Sequence, residues 1–168
     1  MSNASVLAPQ GYRTSQIGLH WLVFFLVAFL FLTGDNMTHA FKALQKSDGA
    51  ASNSMWIPIH ITCGLLVLGA MIWRLALRRR FGAPPPPAGE ATPLRILATA
   101  VHHLLYLLFI LAPIGGLIGF FLIPGVAELH HFVVRLPLMI LVGLHVIGAV
   151  WHRLVLRDGV MQRMFRPV

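Results

Sequence analysis

Apolar residues run almost unbroken through four stretches of the chain, and polar residues collect between them. The runs cover about residues 17–33, 56–77, 97–123 and 131–155. Each reaches the ~17 residues that a helix needs to cross a bilayer. The pattern predicts an all-α membrane protein, a bundle of four transmembrane helices in a single domain over 1–168. The first run follows Arg13 and has an alternative reading as the core of a signal peptide. No Ala-x-Ala-like site follows promptly, however, and His20 and Trp21 interrupt it near its start. Gly34 to Ser54 reads as a polar connection. Residues 78–96 read as a basic and proline-rich loop in which Pro84 to Pro87 form an extended spacer. Pro113 is expected to kink the third span, and Pro124 to His130 to form a short connection.

Composition agrees with the pattern. Of 168 residues 57% are hydrophobic and 11% charged, against about a quarter charged in a soluble domain. The formal net charge of +8 sits between the apolar runs. It is therefore read as membrane anchoring and not as a nucleic-acid surface. Arg13, then Arg74, Arg78, Arg79, Arg80 and Arg95, then Arg153, Arg157, Arg163 and Arg166 all fall on one side of a four-span topology. Lys42, Lys46 and Arg135 fall on the other. The bias predicts both termini in the cytoplasm. The lone Cys63 excludes an internal disulfide and covalent haem attachment of the Cys-x-x-Cys-His kind.

The histidines change the picture from anchor to working site, because polar side chains inside a membrane are costly and by default functional. His131 and His145 are fourteen residues apart, which on a regular helix places them within roughly 40° of one face and about 21 Å apart along the axis. His130 competes with His131, at about 60° instead of 40°. By depth, His20 pairs with His145 near the inner face and His60 with His131 near the outer. Two imidazoles on opposite sides of an iron porphyrin fill both axial positions and suit one-electron transfer. Zinc is the other candidate, but no carboxylate accompanies the histidines within the spans and the pairs are too far apart to merge. The lone-residue alternative for each is an interfacial histidine.

At these residues the chain resembles the bacterial cytochrome b561 family. The resemblance rests on Ile17-Gly18-Leu19-His20-Trp21-Leu22-Val23-Phe24, Ile59-His60-Ile61-Thr62-Cys63-Gly64 and Gly143-Leu144-His145. It also rests on His102-His103-Leu104-Leu105-Tyr106-Leu107-Leu108-Phe109 with Pro113 and Gly116-Leu117. It extends from about Gln16 to Met164. It implies a multi-pass cytochrome of the inner membrane holding two b haems on His20 with His145 and on His60 with His131. It further implies a superoxide oxidase that takes electrons from periplasmic superoxide and passes them to ubiquinone. The connection from Ile123 to His130 is much shorter here than in the best-known members.

His152 and Arg80 resemble positions near the family's quinone site, where they would hydrogen-bond a quinone carbonyl and supply protons. The alternatives are a snorkelling histidine and a lipid-phosphate anchor. His102 also matches a family position, at a haem periphery or in the quinone pocket, and His103 is read as peripheral. Lys42, Lys46, Arg135 and His130 are candidates for attracting an anion such as superoxide, or are ordinary loop charge. Gly64, Gly116, Gly143 and Gly148 would leave room for a porphyrin plane, and the Gly115/Gly119 pair is read as helix packing. In a different functional class, the chain would be a cytochrome b subunit relaying electrons for a dehydrogenase or hydrogenase partner protein.

Overall fold

The computed structural model describes residues 10–46 and 54–168. The part of the polar connection from 47 to 53, with Asp48, lies outside them. Four long apolar helices follow in sequence: α1 (Thr14–Gln45), α2 (Trp56–Phe81), α3 (Thr92–Phe121) and α4 (Pro124–Leu156). Each is long and apolar enough to cross a membrane, as backbone in a hydrocarbon layer requires. A short 3₁₀ turn, Met161–Met164, closes the chain.

The helices are longer than their apolar runs. α1 continues through Gln45, past the Gly34 boundary expected for the polar connection. Two features carry it on. The Thr33 and Thr38 hydroxyls donate to carbonyls four residues back, so these polar side chains are satisfied by their own helix. Ala40 is buried and Phe41 packs on Phe120 at 5.6 Å, so an apolar face persists. α3 begins at Thr92 with a proline in its first turn, and α4 at Pro124 likewise; proline is well placed there. The expected connection from Pro124 to His130 is therefore the first turns of α4. α2 stops at Gly82, whose φ of 75° ends the helix without a Cβ penalty.

Consecutive helices pack side by side. Val23, Val27, Val67, Ala70 and Met71 form one buried cluster between α1 and α2, with Tyr106, Phe109 and Ile110 of α3 against it. Val101, Leu105 and Leu138 form a second between α3 and α4. Large apolar side chains such as Phe25, Leu32, Leu122 and Ile147 point outward, where a lipid surface would meet them. Among the described residues α4 packs chiefly on α3, and histidines face one another across its separation from α1 and α2.

Gly119 fixes the α3–α4 turn. A Cβ there would run into the Ala127 backbone, 2.6 Å from its Cα. Gly115 meets nothing within 4 Å, so the close-packing role expected of that pair belongs to Gly119 alone. Replacement of Gly119 by Ala is expected to destabilise the protein by about 1–3 kcal/mol, the usual range for overpacking. Thermal melting in detergent measures this, and Gly115→Ala is the control that should leave the melting temperature unchanged.

α4 is not a regular α-helix. A π-helical turn spans Val134–Leu138 and contains Pro137. Proline has no N–H to give the preceding turn, and a widened turn is one way a helix absorbs that loss. A second π turn, His152–Leu156, ends the helix.

Candidate functional site

The first π turn decides which histidines meet. One π turn adds a residue to the helix, so fifteen residues now cover the rotation that fourteen cover in a regular helix. His130, not His131, comes to face His60, with ring centres 6.3 Å apart and planes at 90°. His131 is exposed. The His130 ring lies on Gly116, where a Cβ would meet its Cε1 at 3.2 Å. Its Nδ1 is 2.8 Å from the Ala112 carbonyl of α3, which sets Nδ1 as the donor and leaves Nε2 free. The Nδ1 of His60 is buried and has no hydrogen-bond partner.

Nearer the other face, α4 carries His145 beside His20 of α1, with ring centres 6.0 Å apart and planes at 66°. His102 of α3 joins them at 5.0 Å from His145. Its Nδ1 is 2.6 Å from the Ala98 carbonyl of its own helix. His103 does the same with Thr99 at 2.8 Å and meets none of the others.

These pairs suit a metal held between two rings. A metal-bound imidazole keeps its ring centre ~3 Å from the metal, so two axial rings stand ~6 Å apart. Both facing pairs have that separation, and the backbone carbonyl on His130 Nδ1 is the outer partner that ligating histidines ordinarily have. Gly64 and Gly143, close in sequence to His60 and His145, have nothing within 4 Å of where a Cβ would lie, so a flat macrocycle is not obstructed there. The residues present fit haem.

His152 occupies a different setting at the end of α4. Arg157 adopts a left-handed φ of 53° and reverses the chain, so Asp158 folds back onto the helix it follows. The Asp158 Oδ2 lies 2.5 Å from His152 Nδ1, and its Oδ1 accepts the Val160 N–H at 3.1 Å. Glu90, from the loop between α2 and α3, brings Oε1 to 3.6 Å from His152 Nε2. Neither carboxylate was among the candidates read from the sequence. The Asp158-Gly159 turn after a basic helix end was the available signal for one, and nothing local marks Glu90.

Arg80 is exposed at the end of α2, with its guanidinium 5.2 Å from the Phe81 ring centre. Among the described residues no hydrogen bond or ion pair joins it to His152. On the opposite face Arg135 is ion-paired with Asp35, and Lys42 and Lys46 of the expected steering set are exposed.

The tail and loops at the His152 end are laced together. Trp21 Nε1 donates to the Met164 carbonyl at 2.8 Å, Arg163 to Pro85 at 2.7 Å, and Gln16 to Gly82 at 3.2 Å. The Val168 N–H donates to Tyr12 at 3.2 Å. Burial opposes ionisation of Asp158, but the hydrogen bonds from His152 and Val160 outweigh it and hold its carboxyl below its ordinary value of 3.8. The folded carboxyl thus loses its proton more readily than the unfolded one. The contact adds stability above pH ~4 and loses it as pH falls through the lowered value. Trp21 fluorescence across an acid titration checks this: Asp158→Asn should be less stable near neutrality and lack that part of the acid loss.

A family model described as prokaryotic cytochrome b561 matches residues 11–167. Cytochrome b562 of Cereibacter sphaeroides is 31% identical over 157 residues, covering 94% of this chain and 96% of that one. A Yersinia pestis protein described as "Probable superoxide oxidase CybB" is 29% identical over 175 aligned positions, covering 91% and 94%. Cytochrome b561 homolog 1 of Escherichia coli is 27% identical over 112 residues, covering 63% and 57%.

Proposed function

This chain belongs to the prokaryotic cytochrome b561 family, a family of multi-pass membrane b-type cytochromes that transfer electrons, and on that premise we propose that it is a di-haem superoxide:ubiquinone oxidoreductase. The observation that carries the proposal is the pairing of imidazoles at two levels of one helix, 6.0 and 6.3 Å apart. His20 with His145 would hold one haem b and His60 with His130 the other. When bound, haem b would supply one-electron Fe(II)/Fe(III) exchange.

The basic face, with both helix-bundle termini, is the cytoplasmic one, and the membrane is the bacterial inner membrane. The His60–His130 pair then lies toward the periplasm, with Lys42 and Lys46 on that side to attract an anion. His152 lies one heptad beyond His145, about 10 Å nearer the cytoplasm, at the quinone end. Overall, two superoxide anions each lose one electron to become dioxygen, and one ubiquinone takes those two electrons and two protons to become ubiquinol. The Yersinia pestis relative supports superoxide as the donor.

The purified protein's reduced-minus-oxidised spectrum and haem-to-polypeptide ratio, followed by superoxide with and without ubiquinone, test the reading. Two b haems per chain, reduced by superoxide and reoxidised by ubiquinone, are expected. Two haems that ignore superoxide would overturn the oxidase and return attention to a dehydrogenase or hydrogenase partner. A folded protein without Soret absorption would remove haem altogether.

A further inference from the structure

His152 is enclosed by carboxylates that arrive from two separate segments. Its side chain is 13% exposed, that of Glu90 5% and that of Asp158 17%. Charged side chains so enclosed need a partner, and a carboxylate beside each ring nitrogen is complementary to the imidazolium, the one form in which both nitrogens donate. The two contacts differ. Asp158 makes a short, direct hydrogen bond to Nδ1 at 2.5 Å. Glu90 stands at 3.6 Å from Nε2, beyond hydrogen-bond reach but close enough to interact through charge. Nε2 is therefore the nitrogen free to serve another acceptor.

The geometry points to Asp158 and Glu90 as positioning residues that make His152 the proton donor to ubiquinone. This rests on the ubiquinone reading above. Asp158 fixes the ring and keeps the Nδ1 proton, so the neutral ring left after each transfer still donates to it. The Nε2 proton passes to a reduced quinone oxygen, breaking the N–H bond and forming the O–H bond. Two such transfers accompany the two electrons that make ubiquinol. The proton lost from Nε2 is replaced from cytoplasmic water between transfers, and the Glu90 carboxylate attracts the reprotonated ring through charge. Arg153 follows the ring in sequence, Arg157 donates to the Leu154 carbonyl, and Arg163 reaches the same loop at Pro85. Within the segments packed on the ring, the two carboxylates oppose those cations.

The full chain labelled with ¹⁵N-histidine, in detergent or nanodiscs, tests this in two ways. NMR reads the His152 ring nitrogens in wild type, Asp158→Asn and Glu90→Gln, their signals assigned by their loss in His152→Gln. Stopped-flow absorbance follows reoxidation of the dithionite-reduced protein by decylubiquinone in the same buffer. Asp158→Asn is expected to move the Nδ1 signal and Glu90→Gln the Nε2 signal, because each carboxylate stands beside that nitrogen. Reoxidation should be about tenfold slower in both variants.

Unmoved His152 nitrogen signals in both variants overturn the clamp. Moved signals beside an unchanged reoxidation rate overturn the donor role. A wild-type protein with both haems that decylubiquinone fails to reoxidise overturns the ubiquinone reading and this inference with it. Unchanged Soret and α bands in both variants show that folding is intact.

Discussion

Replacement of His130 by Ala is expected to lower the haem-to-polypeptide ratio from two to one, whereas His131→Ala retains both haems. The two side chains are adjacent, so general disruption of α4 would affect them alike. They differ in what they meet. His130 faces His60 at 6.3 Å and is oriented by the Ala112 carbonyl, while His131 is exposed. Losing an axial ligand removes the iron's hold on that side; losing an exposed imidazole at a helix surface costs little. Pyridine-haemochrome quantification and the split of the α band read the result, and superoxide-driven ubiquinone reduction should vanish only in the first variant. The converse pattern, with haem lost from His131→Ala, would mean that α4 runs as a regular helix in the loaded protein. Gly116→Leu provides an independent check. A side chain there strikes the His130 ring, so it should imitate the His130 variant without touching a histidine.

The second large effect is expected at the other pair. His20→Ala is expected to remove the inner haem and abolish reoxidation by decylubiquinone, while His102→Ala keeps it. His102 is the nearer of the two to His145, at 5.0 against 6.0 Å, so distance alone would choose it. The separation argues otherwise. Rings on opposite sides of one metal stand ~6 Å apart, and 5.0 Å is too close for that arrangement. His102 is also exposed, whereas His20 and His145 are partly buried. Its Nδ1–H is given to the Ala98 carbonyl, so Nε2 is left as an acceptor at the periphery of a haem or in a quinone pocket. Low-spin haem signals in the EPR spectrum of the two variants separate a lost ligand from a changed surrounding. Persistence of both haem signals in His20→Ala would overturn the assignment.

The sequence by itself determined the four crossings, the all-α class and the levels at which histidines lie. The reason is that a bilayer imposes its rules locally. Backbone groups in hydrocarbon must be satisfied within their own segment, so length and apolar content decide a span without reference to its neighbours. His20, His60 and His145 are marked by the same logic, as polar groups within apolar runs.

Tertiary structure decided the rest. A period of 3.6 residues selects His131, but the π turn at Val134–Leu138 advances the register by one residue and puts His130 in its place. Pro137 was visible in the sequence; the way its missing hydrogen bond is absorbed depends on the helices packed around it. The extension of α1 through Gln45 likewise rests on Ala40 and Phe41 finding cover. Glu90 and Asp158 could not be found by spacing, because one reaches His152 from a loop and the other only after Arg157 turns the chain back. Helix periodicity governs what one segment presents to a membrane, whereas the meeting of residues from three segments is fixed only when they pack.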